Sequence, residues 1–264
     1  MKKSLIALSV AAAIAAPIAN AASKVYGKLN LSVEQYKKDY QDVTKTDDEY
    51  NRSVSNASRF GVKGEDELTA DLSAVYQVEW EVSASGSGLL SDSASKSVSD
   101  SDLKQRHRFI GIKSQQLGTI KLGKYDSYTK LAQGEIDLFN DYLGDMKFVI
   151  AGENRLNSVI GYESPKIADA LTLNVLTQSQ DSNTPNNGIS ASAVYNDEAT
   201  GLYAALAIDN NIFGATAING NRQSDNIRLV GSYKISDLTL NAIIQTSADA
   251  DPAVGGNKNK EQDW

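Results

Sequence analysis

Apolar and polar residues alternate one by one along many short segments of this chain. In residues 25–34, Leu29, Leu31 and Val33 fall on one face and Lys28 falls on the other. A repeat of two residues is typical of a β-strand whose two faces meet different surroundings. We predict eleven such strands, at residues 25–34, 57–64, 72–81, 104–113, 118–124, 158–163, 171–175, 189–195, 202–208, 227–235 and 238–244.

One of these strands, residues 104–113, departs from the pattern. Arg106 and Arg108 have the same parity as Ile110 and Ile112, so charged and apolar side chains would share one face. The sequence alone gives no assignment of the two faces here, unless the interior of the fold is locally apolar near one end of the strand.

The connections between the predicted strands alternate in length. Short links such as residues 65–67 and 114–116 alternate with long polar segments, at residues 37–54, 85–103, 126–156, 180–188, 210–224 and 247–260. This alternation is typical of an up-and-down antiparallel barrel, which has short turns at one rim and long loops at the other. The Greek-key connections of a β-sandwich follow no such rule.

The charges on the two faces predict what the barrel encloses. The polar faces carry charged side chains on several strands: Lys28, Glu34, Arg59, Glu79, Lys121, Arg228 and Lys234. The apolar faces end in aromatic side chains: Tyr76, Trp80, Tyr162, Tyr195 and Tyr233. So many charges do not fit a dry core, whereas aromatic girdles fit the two interfaces of a bilayer. We therefore predict an all-β protein, a transmembrane antiparallel up-and-down β-barrel with water inside, rather than a secreted soluble β-protein.

The N-terminus has the anatomy of an export signal. Two lysines at positions 2–3 precede an apolar run at residues 5–18, and an A-x-A cleavage site follows at residues 19–21. The apolar run is too short to serve as a membrane anchor. We expect residues 1–21 to be a cleaved signal peptide and residues 22–264 to form the barrel.

The composition argues against several classes of function. The formal net charge is −7, and it becomes −9 without Lys2 and Lys3 (24 basic against 33 acidic residues), which argues against a nucleic-acid partner. The chain has no cysteine, which excludes disulfides and cysteine-based metal sites. Its single histidine, His107, lies between two arginines, with no nucleophile or orienting carboxylate nearby in the sequence. We expect no enzymatic activity, no metal site and no cofactor.

The long connection at residues 126–157 has a periodicity of its own. Apolar residues recur at helical spacings between residues 135 and 143, which predicts a helix there. The acidic residues of this segment are Glu135, Asp137, Asp141 and Asp145, and the last three share a second helical face. Like charges at this spacing repel each other, which leaves two interpretations open. The segment is a solvated acidic surface, or it folds into the lumen opposite basic side chains and narrows the passage to small hydrated solutes.

Several motifs in the sequence resemble the general porins of Gram-negative outer membranes. They are YGK at residues 26–28, SRFGVKGE at 58–65, RHRFIGIK at 106–113 with GTIKLGK at 118–124, and the long segment 126–157 with its Leu-Phe pair. Each motif is weak alone, but together they extend along the whole chain after the signal. The resemblance implies a homotrimer of 16-stranded barrels whose third loop folds inward and forms a constriction. It maps the basic wall onto Lys28, Arg59 and Arg106, with Arg155 or Arg108 as further members, and the acidic side onto Glu135, Asp137, Asp141 and Asp145.

The function implied by this resemblance is passive diffusion of ions and small hydrophilic solutes across the cell outer membrane. The lipid and lipopolysaccharide of that membrane would then surround the barrel. An alternative also fits the residues, namely an outer-membrane or secreted β-protein that acts as an adhesin or receptor through its long loops. Bacterial barrels have an even number of strands, whereas eleven is odd and the polar run at residues 259–264 shows no alternation. We therefore expect this sequence to be the N-terminal part of a longer porin that also has strands 12 to 16 and the terminal aromatic residue of the family.

Overall fold

The computed structural model describes residues 23–38, 48–83, 103–179, 187–216, 220–249 and 260–263. The expected signal peptide and most of the segment 85–103 lie outside these ranges. The described residues form fourteen strands: β1 Lys24–Lys28, β2 Leu31–Lys38, β3 Asp48–Ser55, β4 Arg59–Glu67, β5 Leu72–Val82, β6 Leu103–Ser114, β7 Gly118–Asp126, β8 Arg155–Glu163, β9 Leu171–Gln178, β10 Gly188–Asp197, β11 Leu202–Thr216, β12 Gly220–Ile235, β13 Leu238–Asp249 and β14 Lys260–Asp263. They also form one short helix, α1 Tyr128–Leu131, and a 3-10 turn, Met146–Phe148. Over the ranges given, no helix is both long and apolar enough to cross a membrane.

Twelve of the strands form one antiparallel sheet. β1 pairs with β4, and from β4 to β14 each strand pairs with the next one along the chain. β2 and β3 pair only with each other and form a hairpin that follows β1 and precedes β4. This meander is the connectivity of an up-and-down barrel, as the alternating connections predict.

Consecutive residues of β12 show which face of the sheet is buried. Asn226 and Arg228 are 1% and 0% exposed, whereas Ile227 and Leu229 are 54% and 51% exposed. The polar face is buried because the long connection between β7 and β8 packs against it, with Arg228 bonded to that connection. Polar residues inside and apolar residues outside are the arrangement of a transmembrane β-barrel, so the predicted fold class is confirmed.

Several strand boundaries differ from the prediction. The expected strand 25–34 is two strands, because the Asn30 backbone bonds outside the ladder, donating to Ser58 Oγ at 3.0 Å and accepting from Asn56 N at 2.8 Å. Residues 37–38 and 48–54 of the segment 37–54, expected as a loop, belong to β2 and β3.

The expected loop at residues 210–224 is also largely strand. β11 includes its residues 210–216 and β12 its residues 220–224, with a register shift between Asp209 and Ile212. The polar run near the end of the sequence was expected to form no strand, yet β14 pairs with β13, with Gln245 opposite Asp263. The main sheet therefore has twelve strands, where the alternation alone predicts eleven.

A β-bulge explains the irregular strand, which is β6. Val78 pairs with Arg108 and Trp80 pairs with Gln105, so two residues of β6 lie opposite the single residue Glu79 of β5. The extra residue changes the parity of the strand at this point. Arg106 and Arg108 therefore do not share a face, although they are two residues apart.

Candidate functional site

The connection between β7 and β8, residues 127–154, is the element that fills the polar side of the sheet. We call it the lumen loop, with an outgoing limb (residues 127–132) and a returning limb (residues 149–154). The two limbs are joined at their root, where Ser127 N donates to Asn154 O at 2.9 Å and Ser127 Oγ donates to Gly152 O at 3.3 Å. Ser127 also caps α1, its Oγ accepting from Lys130 N at 3.2 Å.

The outgoing limb is docked on the inner face of β10 and β11. Ser190 Oγ accepts hydrogen bonds from Tyr128 N at 3.0 Å and from Thr129 N at 3.3 Å. Thr129 Oγ1 donates to Asp209 Oδ1 at 2.7 Å. Apolar contacts complete the docking in two buried clusters: Tyr125, Tyr128, Leu156, Val159, Leu176 and Ile212; and Ala132, Ala205, Ala207 and Val230. These contacts hold the limb against the wall, because the backbone amides of Tyr128 and Thr129 and the Thr129 hydroxyl all find acceptors on the sheet.

The middle of the lumen loop is a series of turns, so the helix predicted over residues 135–143 is wrong. The Asp137 carboxylate accepts hydrogen bonds from Phe139 N at 3.0 Å and from Met146 N at 3.1 Å. Gly134 and Asp141 have positive φ angles of 61° and 74°. An aspartate side chain that bonds nearby backbone amides stabilises turns in competition with a helix. The apolar spacing predicts a helix, but the aspartates form turns instead.

Asp145 organises the next turn. Its side chain accepts from Lys147 N at 2.9 Å and from Asp141 N at 3.1 Å, and Lys147 Nζ lies 2.9 Å from Asp145 Oδ2. Burial raises the pKa of the Asp145 carboxyl, but these hydrogen bonds and the Lys147 charge outweigh burial and leave the pKa below its ordinary value. Asp145 is therefore an internal brace of the loop.

Asp141 carries the loop to the opposite wall. Its Oδ2 lies 3.2 Å from Lys28 Nζ on β1 and 3.3 Å from Arg59 Nη1 on β4. The β1–β4 register pairs Lys28 directly with Arg59, which places the two cations side by side. Tyr142 Oη donates to Asn30 Oδ1 at 3.1 Å beside them. The lumen loop thus extends from the wall formed by β10–β12 to the wall formed by β1 and β4, and three predicted site residues meet at its far end.

The other predicted basic residues lie elsewhere. Arg106 Nε is 2.5 Å from Glu79 Oε1, and Arg106 Nη1 is 3.0 Å from Glu81 Oε2. Arg155 Nε is 2.8 Å from Asp126 Oδ1 at the root of the lumen loop. These two arginines bind strand carboxylates and do not contact the acidic residues of the loop, and Glu135 is exposed.

Arg108 lies on the outer face of the sheet. Its guanidinium is 5.7 Å from the ring centre of Trp80, which stacks on Phe60 at 5.4 Å. Phe60 follows Arg59 in β4, so the two side chains point to opposite faces. The structure therefore separates Arg108 from the Arg59 cluster, and its assignment to the basic wall is not supported.

Some residues of the site have no clear signal in the sequence. Arg228 has the right parity for the lumen, but nothing local marks it as the partner of Glu153, 75 residues away, with Arg228 Nη1 at 2.6 Å from Glu153 Oε1. Burial raises the pKa of Glu153, and the Arg228 charge opposes that rise. His107 Nε2 and Lys130 Nζ flank Asp126 Oδ2 at 3.3 and 3.6 Å. These pairs form only once the strands and the loop have come together. The one signal in the sequence is strand parity, which places Arg228 on the lumen side.

The arrangement is a polar lumen crossed by a loop whose acidic tip lies on a basic wall, and similarity to known proteins agrees with it. The family model of Gram-negative porins matches residues 7–263. The chain belongs to this family. Its relatives are named outer membrane proteins, and this porin is a protein of the Gram-negative outer membrane.

Two curated relatives and one solved structure illustrate the similarity. The Major outer membrane protein P.IB of Neisseria meningitidis is 33% identical over 173 residues, which cover 64% of this chain and 47% of the relative. The outer membrane protein YedS of Escherichia coli is 29% identical over 222 residues, 78% of this chain and 58% of the relative. An anion-selective porin from Comamonas acidovorans has a TM-score of 0.66 at 19% identity, covering 91% of this chain and 71% of that porin. The porin chain described here thus spans about half the length of the P.IB relative.

Proposed function

We propose that this porin forms a water-filled channel for passive diffusion of ions and small hydrophilic solutes across the outer membrane. The observation that carries the proposal is the course of the lumen loop, which ends with Asp141 between Lys28 and Arg59. A loop fixed at both walls narrows the lumen without filling it. Family membership supports the same function.

The filter in this proposal is electrostatic. Asp141 supplies negative charge on the loop, and Lys28 and Arg59 supply positive charge on the wall, with Arg106 further along the same face. A compact cluster of opposite charges at the edge of a narrow passage favours hydrated polar solutes and opposes apolar ones. Two other predicted acidic residues, Asp137 and Asp145, act indirectly, because their carboxylates are engaged in the turns that shape the loop.

The proposal also covers the oligomeric state of the protein, and it includes no catalysed reaction. We infer a homotrimer embedded in outer-membrane lipid and lipopolysaccharide, as the family resemblance implies. Porins are channels, and we propose no catalytic residue and no cofactor. Electrophoresis of unheated samples after mild cross-linking would test the trimer, since dissociation to monomers under the same conditions argues against it.

The alternative function, binding of partners through outward loops, requires the long acidic loop to face away from the barrel. Contacts with Lys28, Arg59 and Arg228 instead hold that loop on the inner face. No observation on this loop favours the adhesin reading.

Conductance in planar bilayers tests the proposed function. The protein extracted from outer membranes should give stepwise, long-lived openings whose conductance rises with salt concentration. Openings in groups of three would support the trimer. Folded protein that inserts without conducting would contradict the proposal.

A further inference from the structure

We propose that Arg228 is the positioning residue of the lumen loop: it joins both limbs to β12 and so sets how far the loop reaches across the lumen. The consequence for conduction rests on the proposed function. The mechanical part does not, because it concerns only where the loop lies.

The guanidinium of Arg228 makes four hydrogen bonds in three directions. Nε donates to Gln245 Oε1 on β13 at 2.6 Å, within the wall. Nη1 donates to Thr129 O on the outgoing limb at 3.1 Å. Nη1 also donates to Glu153 Oε1 at 2.6 Å, and Nη2 donates to Ala151 O at 2.8 Å, both on the returning limb. One side chain thus links two strands of the wall to both limbs of the loop.

Only an arginine can make this set of contacts. Its planar fork presents five N–H donors in fixed directions, whereas a lysine ammonium is a point charge with three donors on a flexible stem. Gln245 completes the arrangement from the neighbouring strand, since its Nε2 donates to the same Ala151 O at 2.9 Å. The wall therefore orients the Arg228 guanidinium toward the loop.

The backbone of the returning limb is shaped to admit the guanidinium. Gly152 has a φ of +89°, a conformation that residues with a side chain rarely adopt. A Cβ atom at this position would lie 3.2 Å from Arg228 Nη2 and 3.2 Å from Thr129 Cγ2. The glycine lets the backbone approach Arg228 closely, so two residues far apart in sequence serve the same contact.

The two ends of the loop differ in how strongly they are held. Arg228 and Glu153 have side chains 0% and 5% exposed. At the other end Asp141 is 8% exposed, but its partners Lys28 and Arg59 are 46% and 22% exposed and stay solvated without it. Removing one partner of a desolvated ion pair leaves a buried charge without compensation, which costs much more than breaking a solvated pair. Loss of Arg228 should therefore release the whole loop, whereas loss of Asp141 should release only its tip.

A spin label on the loop tests the positioning role without reference to conduction. The chain has no cysteine, so Val149→Cys gives a single labelling site at an exposed position of the returning limb. In the full-length protein in lipid, Arg228→Gln should raise the mobile fraction of the label about tenfold or more. The same label at Leu206→Cys, on the lipid-facing side of β11, should not respond to Arg228→Gln.

Two further variants separate positioning from general damage. Arg228→Lys keeps the charge and should still release the label, because the fork is lost. The double variant Arg228→Gln with Glu153→Gln removes both charges of the buried pair. The label should be less mobile in this double variant than in Arg228→Gln alone. If Arg228→Gln does not fold, the Arg228→Lys spectrum decides: an immobile label there overturns the proposal.

Single-channel recordings then connect position to conduction. Arg228→Lys pores should show greater current noise in the open state than unmodified pores, while Lys166→Ser on an exposed turn should not. An unmodified protein that never conducts would refute the channel function and leave the label result standing. A channel that conducts normally, with an immobile label in every Arg228 variant, would refute only the positioning role.

Discussion

The carboxylate of Asp141 lies 3.2 Å from the ammonium of Lys28, although 113 residues separate them in the sequence. Asp141 is 8% exposed, whereas Lys28 is 46% exposed, so water still solvates the lysine end of the pair. Since Arg59 Nη1 lies 3.3 Å from the same carboxylate, the contact places a compact cluster of one negative and two positive charges on the surface of the lumen.

Replacement of Asp141 by Asn should shift the channel toward anions. A unit charge about 7 Å away across water changes the energy of a passing ion by ~0.6 kcal/mol, with opposite signs for anions and cations, which is about eightfold in the ratio of their permeabilities. We expect a change of that size in the anion-to-cation permeability ratio, measured from the reversal potential under a salt gradient. Asp237→Asn, the same substitution in the exposed turn between β12 and β13, should leave the ratio unchanged. Equal reversal potentials for Asp141→Asn and the unmodified protein would remove Asp141 from the filter.

Replacement of Arg59 and Arg106 by Ser should shift the channel toward cations. Arg59→Ser removes one positive charge from the wall, and Arg106→Ser leaves Glu79 and Glu81 without their partner. Each substitution should lower the anion-to-cation permeability ratio by about eightfold on the same Coulomb estimate. Lys166→Ser is the control, because it removes a positive charge from an exposed turn. A variant that keeps the original reversal potential would show that its arginine does not act on passing ions.

Acid should loosen the lumen loop through Asp145. Its pKa lies below the ordinary 3.8, so its ionised form stabilises the folded loop above that value. This stabilisation is lost as the pH falls through the lowered pKa. A spin label at Val149→Cys should therefore stay immobile down to about pH 4 and become mobile only below it. Asp145→Asn should loosen the loop already at neutral pH, and identical pH profiles for the two proteins would exclude Asp145 as the cause.

A charge on the outer face of the sheet should destabilise the protein in lipid. Leu206 is an exposed apolar residue near the middle of the lipid-facing stretch of β11. Leu206→Arg should lower the free energy of unfolding in bilayers by about 2–4 kcal/mol, whereas Leu202→Arg, on the same face where β11 begins at the rim, should cost about 0–1 kcal/mol. Denaturant unfolding of the bilayer-inserted protein measures both. Equal costs at the two positions would contradict the assignment of this face to the hydrocarbon core.

The wall of the barrel could be predicted from the sequence because its signal is local. Ile227 and Leu229 alternate with Asn226 and Arg228, and this pattern alone indicates which residues face lipid. The β6 bulge could not be predicted in this way. It is set by pairing with β5, and Arg106 by itself carries no sign that it faces Glu79 rather than lipid.

The lumen loop shows where local signals compete. The apolar spacing of residues 136–143 predicts a helix, whereas hydrogen bonds from backbone amides to Asp137 and Asp145 produce turns. The sequence indicated the acidic segment of the loop, but neither that Asp141 is the carboxylate that reaches the wall nor the geometry that presents it. Arg228 and Glu153 illustrate a further limit, because their partnership exists only after β12 and the loop have come together.

The most direct test of the account is chemical modification of the loop during conduction. Leu138 is 79% exposed and lies three residues before Asp141, so Leu138→Cys places the only thiol of this sequence beside the filter. We predict that a negatively charged thiol reagent, added to open channels, lowers the current in discrete steps, while Lys166→Cys on the exposed turn gives no such steps. An unchanged current with fully modified Leu138→Cys would contradict an inward loop and a filter at Asp141.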